Sequence, residues 1–91
     1  MLQTISILVS GEVQGVFYRQ TTKEMAMAIG INGQVKNLPD GRVHIIATGT
    51  KEQLDRLVEW CQKGPAKARV TGIGVEEISL QQFEEFSILR R

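Results

Sequence analysis

Ile5-Ser6-Ile7-Leu8-Val9-Ser10, then Gly11-Glu12-Val13-Gln14-Gly15-Val16-Phe17-Tyr18-Arg19, then a run closing in Met25-Ala26-Met27-Ala28-Ile29: this stretch decides the fold. Ile5, Ile7 and Val9 alternate with Ser6, Leu8 and Ser10, as in a central strand with one face more apolar than the other. From about Thr21 to Ile29 the spacing turns helical, with Met25, Ala26 and Ile29 on one face. Thr21 and Glu24 have capping-box spacing, although a start one turn earlier, near Arg19, fits the pattern too. A strand, a short glycine-containing loop and a helix start can aim consecutive backbone N–H groups at one point, where the positive end of the helix dipole adds to them. By shape this is a cradle for an anion. It is neither a Walker loop, since no Gly-Lys-Ser/Thr follows, nor a dinucleotide fingerprint, since the G-x-G-x-x-G spacing is absent.

Working outward, Gly30 stops the helix and Gly33-Gln34-Val35-Lys36-Asn37 reads as a short strand. Leu38-Pro39-Asp40-Gly41 is a turn: proline presets φ, and Asp-Gly tolerates the reversal. Val43, Ile45 and Ala47 alternate as the partner strand. Thr50 and Gln53 offer a capping box for a second helix, whose Leu54, Leu57, Val58 and Cys61 recur at i, i+3, i+4, i+7. Gly64-Pro65 ends it. A last extended region runs from about Ala68 to Ile78, where Gly72 and Gly74 suggest a bulge or sharp twist, and Phe86-Ser87-Ile88-Leu89 reads as a short final strand. The order is β-α-β-β-α-β plus one strand. Right-handed crossovers convert it to an α+β, ferredoxin-like two-layer sandwich, with two helices on one face of an antiparallel sheet.

Ninety-one residues make a single domain, 1–91, with one useful core. A net charge of +1 supplies no global field for nucleic acid, so an anion site must be local. A ferredoxin-like RNA-binding module would carry aromatics on its central strands, whereas this chain has three Phe, one Tyr and one Trp, and none on the first strand. The apolar stretches fall far short of a membrane span, and no signal-peptide pattern opens the chain. The one cysteine, Cys61, cannot form an internal disulfide, so the expected compartment is the cytoplasm. Nothing at helical or strand spacing demands a second copy, so a monomer is expected.

Residues 11–19 also resemble the signature of the acylphosphatase family, G-x-V-Q-G-V-x-[FY]-R. Gly33 to Val43 with Gly49 resembles that family's second signature, N-x-x-x-G-x-V preceded by glycine and an aromatic residue. The likeness continues through Gly64-Pro65-Ala66-Lys67-Ala68-Arg69-Val70 and Phe86-Ser87-Ile88, and so covers nearly the whole chain. Gln34 departs from it, standing where the family usually has an aromatic residue. The resemblance implies the same sandwich fold and hydrolysis of the carboxyl–phosphate bond of acyl phosphates, yielding a carboxylate and inorganic phosphate, with no metal and no cofactor. It implies a phosphate-binding loop of Gln14, Gly15, Val16, Phe17, Tyr18 and Arg19, with Arg19 and Asn37 catalytic. Inorganic phosphate, the product, would compete for the same cradle.

The residues themselves leave two readings open at both catalytic positions. Arg19 offers a planar fork suited to two phosphate oxygens, but a surface arginine commonly pairs with a carboxylate. Asn37 precedes a turn, where asparagine often caps or ends a strand; its amide can equally accept from a water and donate to a phosphate oxygen. His44 alternates between Val43 and Ile45 and reads as a solvated or cross-strand group, and Cys61 as a small buried hydrophobe. The lack of any cluster of acid, base and nucleophile suits acyl phosphate hydrolysis. The leaving carboxylate needs no general acid, and a loose transition state asks for little deprotonation of the attacking water. The alternative is a non-catalytic regulatory domain of the same fold that senses a phosphate ester.

Overall fold

The computed structural model describes residues 1–90; Arg91, the last residue of the expected single domain, lies outside the described residues. The elements are β1 (Gln3–Glu12), α1 (Tyr18–Ile29), β2 (Asn32–Asn37), β3 (Val43–Gly49), α2 (Lys51–Cys61), β4 (Arg69–Ile78) and β5 (Phe86–Leu89). One sheet in the order β4-β1-β3-β2-β5 carries both helices on one face. Ile5, Ile7 and Val9 of β1 stand opposite Ala47, Ile45 and Val43 of β3, and all six are buried. Val35 and Phe86 extend this layer, and the helices close it with Tyr18, Ala26, Leu54, Leu57 and Cys61. The expected alternation of β1 and the apolar stripe of α2 are thus both present. The ferredoxin-like sandwich is borne out.

Several local expectations change. The sheet is mixed rather than wholly antiparallel, because β5 runs parallel to β2. Chain length explains this. Strand β4 ends at the sheet edge opposite β5, four strand spacings of about 4.8 Å away, or ~19 Å. Residues 79–85 reach little more than about 25 Å even when extended. They can cross along one end of the sheet, but cannot also travel to its far end to start an antiparallel strand. Gln81 fastens that crossing: its carbonyl accepts from Thr48 Oγ1 at 2.7 Å, and its N–H donates to Thr4 Oγ1 at 2.9 Å.

Helix α1 starts at Tyr18, and the Thr21–Glu24 capping box does not form. Phe17 is the N-cap residue, in the left-handed region at φ 66°, and makes no side-chain cap bond. Thr21 sits inside the helix and donates its hydroxyl back to the Phe17 carbonyl at 2.8 Å. The buried stripe is therefore Tyr18, Thr22 and Ala26, with Met25 and Ile29 half-buried. In α2 the Thr50–Gln53 capping box forms as expected, with both reciprocal bonds present. The β1–β4 register shift falls between Ser10 and Gly11, where Thr71 is left without a partner just before Gly72. Gly72 and Gly74 themselves pair in regular register.

Candidate active site

Two segments meet at the end of the sheet where β1 and β2 finish. One is the β1–α1 loop, residues 13–17; the other is the last residue of β2, Asn37. Gly15, Tyr18, Arg19 and Asn37 line one open cavity of about 440 Å³, together with Val13, Phe17, Gln20, Ile88 and Arg90. Two of the six expected loop residues, Gln14 and Val16, are not among its walls.

The loop is held from below. Val13 is buried, Val16 packs on the core, and the Tyr18 ring is buried against Trp60, with centroids 5.4 Å apart. The Tyr18 hydroxyl donates to the Cys61 carbonyl at 2.7 Å, satisfying an acceptor that the end of α2 would otherwise leave open. Burial, more than the neighbouring Cys61, pushes the Tyr18 phenol far above the usual tyrosine range, so it stays a donor. Burial also pushes the Cys61 thiol up to about 12, which makes it an inert filler, as its place in the α2 stripe suggests. A Cβ at Gly64 would come within 2.6 Å of the Tyr18 ring, so glycine there lets α2 close onto the loop.

Above this support the backbone alternates. Gly15 has φ 76° and Phe17 φ 66°, and such alternation turns successive N–H groups toward one concave point. Among the described residues, a Cβ on Gly15 would meet nothing within 4 Å beyond its chain neighbours, so the requirement there is the left-handed backbone together with an open approach from the cavity. Phe17 has no such freedom, and its conformation costs roughly 1–3 kcal/mol. No acidic side chain occupies the first turn of α1, so its positive end is uncompensated where it meets the loop.

The geometry bears on both open readings. Arg19 is half-buried beside the cavity. Among the described residues the ion pairs are Asp40–Arg42 and Lys51–Asp55, so Arg19 has no carboxylate partner. The turn after Asn37 is built without its side chain: Gly41 N–H donates to the Leu38 carbonyl at 3.1 Å, and the Asp40 carboxylate accepts from Arg42 N–H at 3.0 Å. The Arg42 guanidinium on the same carboxylate holds Asp40 below the usual carboxylate range. The Asn37 amide oxygen is buried and has no hydrogen-bond partner among the described residues. A turn-capping asparagine would spend that oxygen on the turn.

Gln14 plays a part that its place in the loop did not suggest. Its Nε2 donates to the Leu38 carbonyl at 2.8 Å and the Arg42 carbonyl at 2.9 Å, the two residues closing the hairpin beyond Asn37. One side chain thereby ties the Arg19 loop to the Asn37 strand. Ile88 and Arg90 were also missed as cavity walls. Only the parallel placement of β5 beside β2 brings them there. His44 lies elsewhere, its Nε2 2.8 Å from Ser6 Oγ, in keeping with a cross-strand role. Among the described residues no group of three His, Cys, Asp or Glu side chains is placed to hold a metal ion.

The acylphosphatase family profile matches residues 5–88. An acylphosphatase of Methylococcus capsulatus is 46% identical over 90 residues, which is 98% of this chain and 98% of that protein. The crystal structure of the Bacillus subtilis acylphosphatase superposes with a TM-score of 0.93 at 40% identity, over 98% of this chain and 99% of that one. The acylphosphatase of Coxiella burnetii superposes with a TM-score of 0.94 at 35% identity, over 97% and 93%. A regulatory module without turnover is not favoured by relatives that carry an enzyme's name over their whole length. With both signatures joined across one cavity, on a fold shared end to end with these proteins, the chain belongs to the acylphosphatase family.

Proposed function

We propose that this chain hydrolyses acyl phosphates by positioning and charge stabilisation alone, as one domain spanning residues 1–91. The phosphoryl group sits in the cradle of loop N–H groups at the start of α1, and the Arg19 fork takes two of its oxygens. Asn37, across the cavity, orients a water in line with the bond to the carboxylate. The water oxygen forms the new P–O bond while the old one breaks, and its electron pair leaves on the carboxylate. The water proton passes to a phosphate oxygen of the substrate. Charge spread over the equatorial oxygens meets donors already aimed at it, so no reorganisation is needed during the reaction. Neither a general acid nor a metal has a step to perform.

The observation that carries this reading is an arginine and an asparagine lining one cavity, neither of them spent, among the described residues, on an ion pair or on the adjoining turn. Inorganic phosphate, fitting the same cradle, competes with substrate. The protein acts as a monomer in the cytoplasm; among the described residues no helix is long and apolar enough to cross a membrane. The test is turnover of acetyl phosphate after exhaustive dialysis against EDTA, with inorganic phosphate titrated in. Full activity and competitive inhibition are expected. Loss of turnover that Mg²⁺ or Zn²⁺ restored would overturn the metal-free mechanism, and non-competitive inhibition would place the phosphate site elsewhere.

A further inference from the structure

A second cavity, of about 530 Å³, lies between α1 and the end of α2 and shares no wall residue with the one at the β1–α1 loop. Met25 and Ile29 of α1 line it, and α2 and the turn after it contribute Arg56, Glu59, Trp60 and Lys63. Helical spacing sorts these walls. Leu54, Leu57 and Cys61 are the buried side of α2, whereas Arg56, Trp60 and Lys63, at i, i+4 and i+7, follow another side. The chain is still turning at Lys63, whose N–H donates to the Trp60 carbonyl at 3.0 Å. Met25 and Ile29, at i and i+4, stack along α1. Met25, Ile29 and Trp60 are half-buried and form an apolar floor; Arg56, Glu59 and Lys63 are exposed and form a charged rim. Glu59 lies three residues from Arg56 and four from Lys63, within reach of either by helical spacing. Among the described residues it pairs with neither, and both cations lack a carboxylate partner.

We propose that this cavity is a second binding site, and that its ligand is a small, flat aromatic carboxylate. The ligand's ring lies on the floor of Met25, Ile29 and Trp60, where covered apolar surface, ring–ring contact and the methionine sulfur all favour it. Its carboxylate meets Arg56 and Lys63 at the rim. Two cations against one carboxylate leave that rim positive, which selects an anion over a cation of the same shape. The volume falls within the roughly 300–1,000 Å³ of small-ligand sites. This site stands whether or not the other cavity hydrolyses acyl phosphates.

The experiment titrates 2-naphthoate, 2-naphthamide and 2-naphthylmethylammonium into ¹⁵N-labelled protein, with excess inorganic phosphate present to occupy the β1–α1 loop. Trp60 is the chain's one tryptophan, so its indole N–H resonance reports the cavity directly. Naphthoate should shift that resonance saturably and bind about fivefold more tightly than the amide or the ammonium. Arg56→Gln combined with Lys63→Gln, both at exposed positions, should lower naphthoate affinity by the same factor of about five and leave naphthamide unchanged. Failure of all three probes to shift the indole resonance saturably overturns the site. Equal affinity for the three, or an unchanged naphthoate affinity in the double variant, overturns recognition of an anion. Shifts confined to the amides of residues 13–19 would put the probe in the phosphate loop and overturn it too. An indole resonance that moves with protein concentration, with no probe added, would give the cavity to a second copy of the chain instead.

Discussion

Replacing Asn37 with alanine should impair the enzyme without weakening the fold. A buried acceptor with no partner forfeits the hydrogen bond it made to water, a penalty of about 1–3 kcal/mol, and among the described residues Asn37 Oδ1 is such an atom. Alanine removes it. The lost packing of the amide offsets part of the gain, leaving the variant at least as stable as wild type and up to about 1 kcal/mol more so. For a domain of this size that corresponds to a melting temperature up to ~4–8 °C higher. The turn itself should hold, since its bonds come from Gly41 and Asp40 rather than from Asn37. Turnover should move the other way. Losing a group that aims the attacking water costs on the order of 10²-fold, or about 2.7 kcal/mol of barrier. Inorganic phosphate should still bind within a few-fold of wild type, because the loop amides and Arg19 are untouched. Thermal melting, phosphate titration and acetyl phosphate hydrolysis on one preparation read all three quantities. Near-normal turnover with a lowered melting temperature would refute the reasoning and return Asn37 to the turn.

Arg19→Lys should lose about 10²–10³ in kcat/KM, because a point charge cannot reproduce a bidentate fork; a variant retaining most of its activity at saturating substrate would exclude that contact. Gln14→Ala should lose two hydrogen bonds to the hairpin, roughly 2 kcal/mol in all, lowering the melting temperature by about 8–16 °C. It should also depress kcat more than phosphate affinity, since it loosens Asn37 relative to the loop; equal losses in both would mean Gln14 serves stability alone. Burial, with Lys36 and Arg42 nearby, holds the His44 imidazole below the usual histidine range. Its contribution to stability is therefore complete above about pH 6.5 and declines as pH falls through the lower native value. Urea titrations across that window should show a pH slope in wild type that His44→Gln flattens, and identical slopes would exclude the imidazole as its source.

Much of this molecule is legible from residue order because the physics involved is local. Alternation in β1 reports which side is buried, since side chains on a strand face opposite ways and Ile5, Ile7 and Val9 can enter the core only together. The Thr50–Gln53 box needs only residues three apart. The loop and Arg19 can be proposed from residue order because anion binding at a helix start depends on a short contiguous stretch. Where two local solutions compete, residue order misleads: Thr21 and Glu24 have capping spacing, yet the loop enters α1 through a left-handed Phe17 and places Thr21 a turn too deep to cap. Other features depend on contacts between distant segments, which local patterns do not encode. The direction of β5 follows from the reach of residues 79–85 across the sheet. The work of Gln14 follows from hydrogen bonds spanning 24 and 28 residues. An asparagine before a turn looks the same whether or not it caps that turn. Asn37 is distinguished by Asp40 having taken the capping bond, which leaves its own oxygen buried and unspent.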